Sequence, residues 1–269
     1  MFKTGLQKEF VFFSRSFRMW GVIIAAIAFA LLDPLMMKAM DSITASMAEL
    51  DPTFAELDLE GMNMSQAGVL GAVGDLTSTM LLILSLVIMY AAGGELKKRS
   101  MIIPQNAGLT PKLYLLPKFV LYPIFGALLT FLGVFLSWVF SFALYTEVNV
   151  GFGQALLAAL LAAVFQMFLI SLYLTLGLCT AKAGLSVAVV YGGNVILSTL
   201  FTSLGADKFH PFTLTSQAQD IIMYDVIDHA NLWGSIAITV LLIALCYLIT
   251  LFVISAKRVD NRGVEEINL

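Results

Sequence analysis

Apolar residues in this chain fall into six long runs separated by short polar stretches, at residues 20–40, 76–93, 119–145, 154–180, 183–204 and 232–256. A helix that crosses a bilayer needs about 20 predominantly apolar residues, and these runs are close to that length or longer. The fourth and fifth are separated only by Ala181-Lys182, which predicts a tight helical hairpin. The first is the least regular, because Asp33-Pro34 interrupts it.

Ahead of the first run the period changes. Phe2, Leu6, Phe10, Phe13 and Phe17 recur at spacings of four, four, three and four, so at about 100° per residue they share one narrow stripe. Lys3, Lys8, Arg15 and Arg18 fall mostly on the other side. This pattern predicts an amphipathic helix over residues 1–19, lying in the headgroup layer with its basic side chains toward anionic lipid. Trp20 would then mark the turn into the bilayer.

Composition agrees with the run lengths. The 269 residues are 59% hydrophobic and 12% charged, about half the charged share of a soluble domain, and mean hydropathy is +0.91. The solvent is therefore lipid. Charge distribution adds a direction. With the N-terminus in the cytoplasm, thirteen of the fifteen Lys and Arg fall inside, and only Lys38 and Lys208 fall outside. Short inner loops carry such an excess, so an even number of spans with both termini cytoplasmic is expected in a plasma-membrane protein. The tail is 257–269.

Three inter-span segments have character. The outer stretch 41–75 is acidic, with Asp41, Glu49, Asp51, Glu56, Asp58, Glu60 and Asp75 and no basic residue. Its Glu56–Gly61 portion mimics the start of a calcium loop, but the twelfth position is Ala67 where a bidentate Glu is required. The inner loop 94–118 opens on Glu95-Leu96-Lys97-Lys98-Arg99 and contains Thr110-Pro111, a helix start with Thr as cap and Pro at the first helical position. Its plainer reading is positive-inside charge. The outer stretch 207–231 carries Leu214, Ala218, Ile221, Ile222 and Val226 in a pattern of one or two short re-entrant or interfacial helices.

Little catalytic chemistry is written in the chain. No G-x-x-x-x-G-K-[ST] loop is present, nor H-E-x-x-H or G-x-S-x-G, and His210 and His229 have no partner at metal-ligand spacing. No metal or cofactor is expected in this chain, no enzymatic activity, and no nucleic-acid partner. Cys179 and Cys246 lie in apolar runs and read as small hydrophobes. The spans hold almost no ionisable residue, against a carrier built on intramembrane carboxylates. Asp33 is the exception, about 20 Å along its helix from Trp20. Either Pro34 bends the helix so that Asp33 meets outer water, or Asp33 lines a polar pathway. Asn194, after Gly192-Gly193, is a second candidate for such a path.

The layout as a whole, namely the basic N-terminal helix with Lys8-Glu9, the loop from Glu95 through Pro104 and Thr110-Pro111 to Tyr114–Lys118, and short helices after the fifth span, resembles the membrane subunit of a type-2 ABC exporter, the ABC-2 type permease family. The Gly-Thr expected soon after the loop's Glu is replaced here by Lys97-Lys98-Arg99-Ser100. The resemblance implies an all-α integral membrane protein with six transmembrane helices and an N-terminal interfacial helix. It implies a half-transporter for an amphipathic or lipophilic cargo such as a peptide, drug or lipid. A separate ATPase subunit would bind ATP and Mg and contact Glu95, Lys97, Lys98, Arg99 and Thr110. A second permease chain, identical or related, would complete the pathway. A channel or secondary carrier outside this family, or an ABC-associated sensor or immunity subunit, are the competing readings.

Overall fold

The computed structural model describes residues 2–50, 64–97, 110–146, 148–205 and 208–267. The acidic portion at 51–63 and the segment 98–109, with Lys98 and Arg99, lie outside the described residues, as do the side chains of Phe2, Asp41, Glu49, Lys97 and the tail 257–269. The described chain is all-helical. Its elements are α1 (Phe2–Ser14), α2 (Phe17–Leu50), α3 (Met64–Ile88), a π-helical turn at Tyr90–Gly94 running into a short turn at Glu95–Lys97, α4 (Pro111–Leu144), α5 (Phe152–Thr180), α6 (Ala183–Ser203), α7 (Thr213–Tyr224) and α8 (His229–Ile267). Six of these, α2 to α6 and α8, are long and apolar enough to cross a membrane.

The centre of the bundle is α5, whose most apolar window is 67% buried, against 17% for α6 and α8. It packs on α4, α8, α7, α6 and α3. Close approach is set by small residues. A Cβ on Gly126 of α4 would overlap Ile170 of α5, and one on Gly133 would meet Leu76 of α3 at 2.6 Å. Hydroxyls inside these helices bond to the carbonyl one turn back, as Thr77 does to Val73 and Ser171 to Met167. Each such bond satisfies the hydroxyl within its own helix, as lipid requires.

Three details differ from the sequence expectation. First, Asp33-Pro34 does not interrupt α2, which runs through to Leu50; Pro34 packs on Gly68 of α3, where an added Cβ would come within 2.9 Å of the Pro34 Cα. Second, the N-terminal helix ends at Ser14, and Phe17 already belongs to α2. Third, helix α8 continues beyond the expected end of the span at 256, through to Ile267.

The hairpin between α5 and α6 is as tight as expected, with Ala181 in the left-handed region at φ 56°. Thr110 caps α4, its hydroxyl accepting from the Leu113 amide at 3.4 Å, with Pro111 at the first helical position. Both follow from local chemistry alone.

Candidate functional site: a buried ionic latch at one end of the bundle

Tyr114, Lys118 and Tyr122 stand four residues apart on α4, so they line one face of that helix. Across them lies α1, whose protein-facing side is Gly5, Glu9 and Phe13, again at spacings of four. Gly5 lets the two helices touch: a Cβ there would sit 3.0 Å from Pro117 Cγ. Phe13 meets Tyr122 and Phe125 edge-on, with ring centroids 5.6 and 4.4 Å apart. Glu95, just after the π-helical turn, closes the third side.

The three elements converge on one ammonium group. Lys118 is fully buried, and its Nζ lies 3.0 Å from Glu9 Oε1 and 2.9 Å from Glu95 Oε2. Tyr122 donates to Glu9 Oε2 at 2.8 Å, and Tyr114 donates to Glu95 Oε2 at 3.0 Å. The Lys118 ammonium also lies 4.9 Å from the centre of the Tyr114 ring. From the half-open side Lys8 reaches Glu95 Oε1 at 3.5 Å and Glu9 at 3.9 Å. Two carboxylates thus face two ammonium groups, and each carboxylate receives a tyrosine hydroxyl as well. A buried ion cluster is tolerated only with such complete pairing. Burial pushes the Glu95 carboxyl up, but the charges of Lys118 and Lys8 and the hydrogen bonds from Lys118 and Tyr114 outweigh it and hold the group below its ordinary value of 4.5.

The position of Glu95 is itself fixed by backbone geometry. Gly93 adopts φ 150° and packs on α5, where an added Cβ would meet the Gly177 carbonyl at 2.7 Å. Conversely, a Cβ on Gly177 would lie 2.0 Å from the Ala92 carbonyl oxygen. Only glycine permits this backbone-to-backbone seat at both positions. The π-helical turn therefore docks on the central helix and delivers Glu95 to Lys118.

The residues expected to matter are distributed as follows. Glu95 is buried in the latch and does not face outward, because its charge is already matched inside the chain. The aromatic stripe of the N-terminal helix is not its buried face. Phe10 and Phe17 are 57% and 89% exposed, whereas Phe13 is in the core, and Leu6 is half-buried. Gly5 and Glu9 displace the stripe because the close approach and the charge partners on α4 decide the packing. Arg15, Arg18 and Trp20 are exposed. Asp33 is half-buried beside Gly71 of α3, one turn from Asp75, and its Oδ2 has no hydrogen-bond partner. Asn194 is buried on α6. Lys118, Glu9 and the two tyrosines were not singled out as a site by sequence. The Tyr-x-x-x-Lys-x-x-x-Tyr spacing is the signal that could have found them, since a lysine within a span needs a named partner.

Outside the latch, α1 presents a groove of about 750 Å³ lined by Thr4, Gln7, Lys8, Val11, Phe12 and Arg15. Among the described residues no group of three or more His, Cys, Asp or Glu is placed to hold a metal ion. Comparison with protein-family models, curated proteins and solved structures finds no match.

Proposed function

We propose that this chain is the membrane subunit of a type-2 ABC exporter, a half-transporter that moves an amphipathic or lipophilic cargo across the cytoplasmic membrane with a separate ATPase. The observation that carries the reading is the latch. It joins the N-terminal helix, the start of the α3–α4 segment and the first turns of α4 through one buried ammonium. A force applied to either peripheral piece is then passed to α4, and through Gly93 and Gly177 to α5. That linkage suits a protein whose work is done by a subunit docked at this end. The six apolar helices and the excess of basic residues at the same end are consistent with it.

The burial of Glu95 revises how the ATPase would be contacted. Glu95 becomes an internal transmitter, and the docking surface shifts to the groove on α1 with exposed Lys8 and Arg15; Lys97, Lys98 and Arg99 are kept as proposed contacts by their charge in the sequence alone. Exposed Phe12 within that groove and exposed Phe10 on the same helix suit an interfacial helix that touches lipid on one edge. ATP and Mg would be bound by the partner, and a second permease chain would face the weakly buried helices.

The test is purification of the tagged chain from its native membrane in mild detergent. A soluble ATPase recovered at one-to-one ratio supports the proposal, and a monomer without ATPase overturns it. With the pair in hand, Lys97→Glu combined with Lys98→Glu is expected to lower ATP-dependent export while leaving the latch intact. Glu95→Ala is expected to uncouple hydrolysis from export.

A further inference from the structure

The opposite end of the bundle holds a cleft of about 980 Å³ bounded by the end of α6, by α7 and by the first turn of α8. This is the upper end of the ~300–1,000 Å³ range of small-molecule sites, but its lining is unusual in being mostly neutral and polar. Hydroxyl and amide side chains dominate, and Lys208, Asp220 and Asp228 are the charged residues of the lining. Both signs are present, so the cleft offers no single-sign field to draw in a strongly charged solute.

The wall is built, not incidental. Asn231 Oδ1 accepts from the Phe209 amide at 3.1 Å and from Ser235 Oγ at 3.1 Å, and Asp228 Oδ1 accepts from the Asn231 amide at 3.2 Å. Thr213 and Ser235 share a hydrogen bond of 2.7 Å. Phe209 sits at φ 59°, pressed on Gly234, where an added Cβ would come within 2.3 Å of its ring. Phe201 stacks on His210 at 4.3 Å between centroids and lies 5.7 Å from Phe212, forming a flat aromatic side.

Against this ordered frame one residue stands out. Gln217 is 9% exposed and lines the cleft, yet neither its Nε2 nor its Oε1 has a hydrogen-bond partner. A buried amide left unpaired is unfavourable, and at the wall of an open cleft it can be met by a partner from outside the chain. Its amide nitrogen and oxygen are shielded from solvent in this structure; turned toward the cleft they offer a donor and an acceptor side by side, the complement of a hydroxyl group, which is both. The aromatic side supplies a flat apolar surface for the C–H face of a sugar ring.

We infer that this cleft binds an uncharged, hydroxyl-rich ligand, a saccharide presented free or as the headgroup of a glycolipid, with Gln217 as its central contact. The assignment is independent of the exporter reading, since it concerns recognition at the end of the bundle away from the latch. It is tested on the full chain in nanodiscs by saturation-transfer NMR and thermal shift. One arm adds maltotriose or chitotriose in solution. The other uses phosphatidylcholine discs with and without a diglucosyl diacylglycerol.

Saturable binding in either arm is expected, and which arm responds tells free sugar from headgroup. Gln217→Leu should weaken it about tenfold, the loss of one such hydrogen bond. Because that variant removes an amide with no protein partner, the fold should survive. Gln219→Leu, on the same helix at the cleft, provides a second handle and should weaken binding several-fold. No saturable binding in either arm overturns the inference, as does binding that neither variant alters, or preferential binding of oligolysine.

Discussion

The two ends of the bundle treat buried polar groups in opposite ways. At the α1 end Lys118, Glu9, Glu95, Tyr114 and Tyr122 satisfy one another within 3.0 Å, and the ammonium is wholly shielded. At the other end Gln217 is nearly as buried, but its amide has no partner in the chain. Charge pairing within the chain makes a joint, because moving any one piece exposes an unmatched charge. Incomplete pairing beside a cleft leaves an amide for the inferred ligand to satisfy. The difference lies in the number of helices that converge: three elements meet at Lys118, whereas the cleft is left open between α6 and α7.

The joint is broken most severely by removing its centre. Lys118→Met leaves two carboxylates buried without their shared cation, a loss expected at about 3–5 kcal/mol. It should appear as reduced membrane yield and a large fall in detergent-solubilised Tm. Adding Glu9→Gln and Glu95→Gln to the same chain removes the stranded charges and should recover most of that loss. If the triple variant is no more stable than the single one, charge pairing is not what holds α1 to α4.

The next largest effect is expected at Tyr122. Tyr122→Phe keeps the ring that Phe13 packs on and deletes only the hydroxyl given to Glu9. Hydrogen bonds to charged groups are worth about 1.5–3 kcal/mol. A similar figure, about 1–3 kcal/mol of overpacking, is expected for Gly177→Ala, because the added methyl meets the Ala92 backbone carbonyl, which cannot swing aside. Gly126→Ala meets the far end of the Ile170 side chain and should cost less, since that methyl can change rotamer. Comparing the two by thermal unfolding separates a backbone seat from ordinary packing. Equal losses would remove the special role given to the π-helical turn.

How much of this was legible in the sequence depends on how local the determining interaction is. The six apolar helices, the Thr110 cap and the Ala181-Lys182 hairpin follow from composition, period and a single cap residue, so they can be read along the chain. The latch was not read, because Glu9 and Tyr122 are more than a hundred positions apart and nothing in either neighbourhood names the other. The aromatic stripe of α1, expected to face the headgroup layer, says nothing of the side that packs on α4 for the same reason. A helix's protein-facing side is set by what it packs on, and here Gly5 and Glu9 share that side with Phe13 because α4 offers a proline, a lysine and Tyr122. The close seat of Pro34 likewise depends on Gly68, which sits on another helix.

The smallest expected effect tests the boundary of the joint. Lys8 is 59% exposed at its side chain and 3.5 Å from Glu95, so Lys8→Met should cost no more than about 1 kcal/mol at neutral pH and low salt. Its signature lies in the acid limb. Glu95 has its folded value held below 4.5, so its contribution is complete above that value and fades as pH falls through the folded value. Removing Lys8 takes away one of the charges that depress it. The folded value then moves up toward the unfolded one, and the share of stability that acid can remove becomes smaller. Unfolding measured from pH 7 down to acid should therefore show a shallower dependence in Lys8→Met than in the parent chain. An unchanged acid limb would mean that Lys118 and Tyr114 alone set the Glu95 charge, and that the joint ends at the buried face of α1.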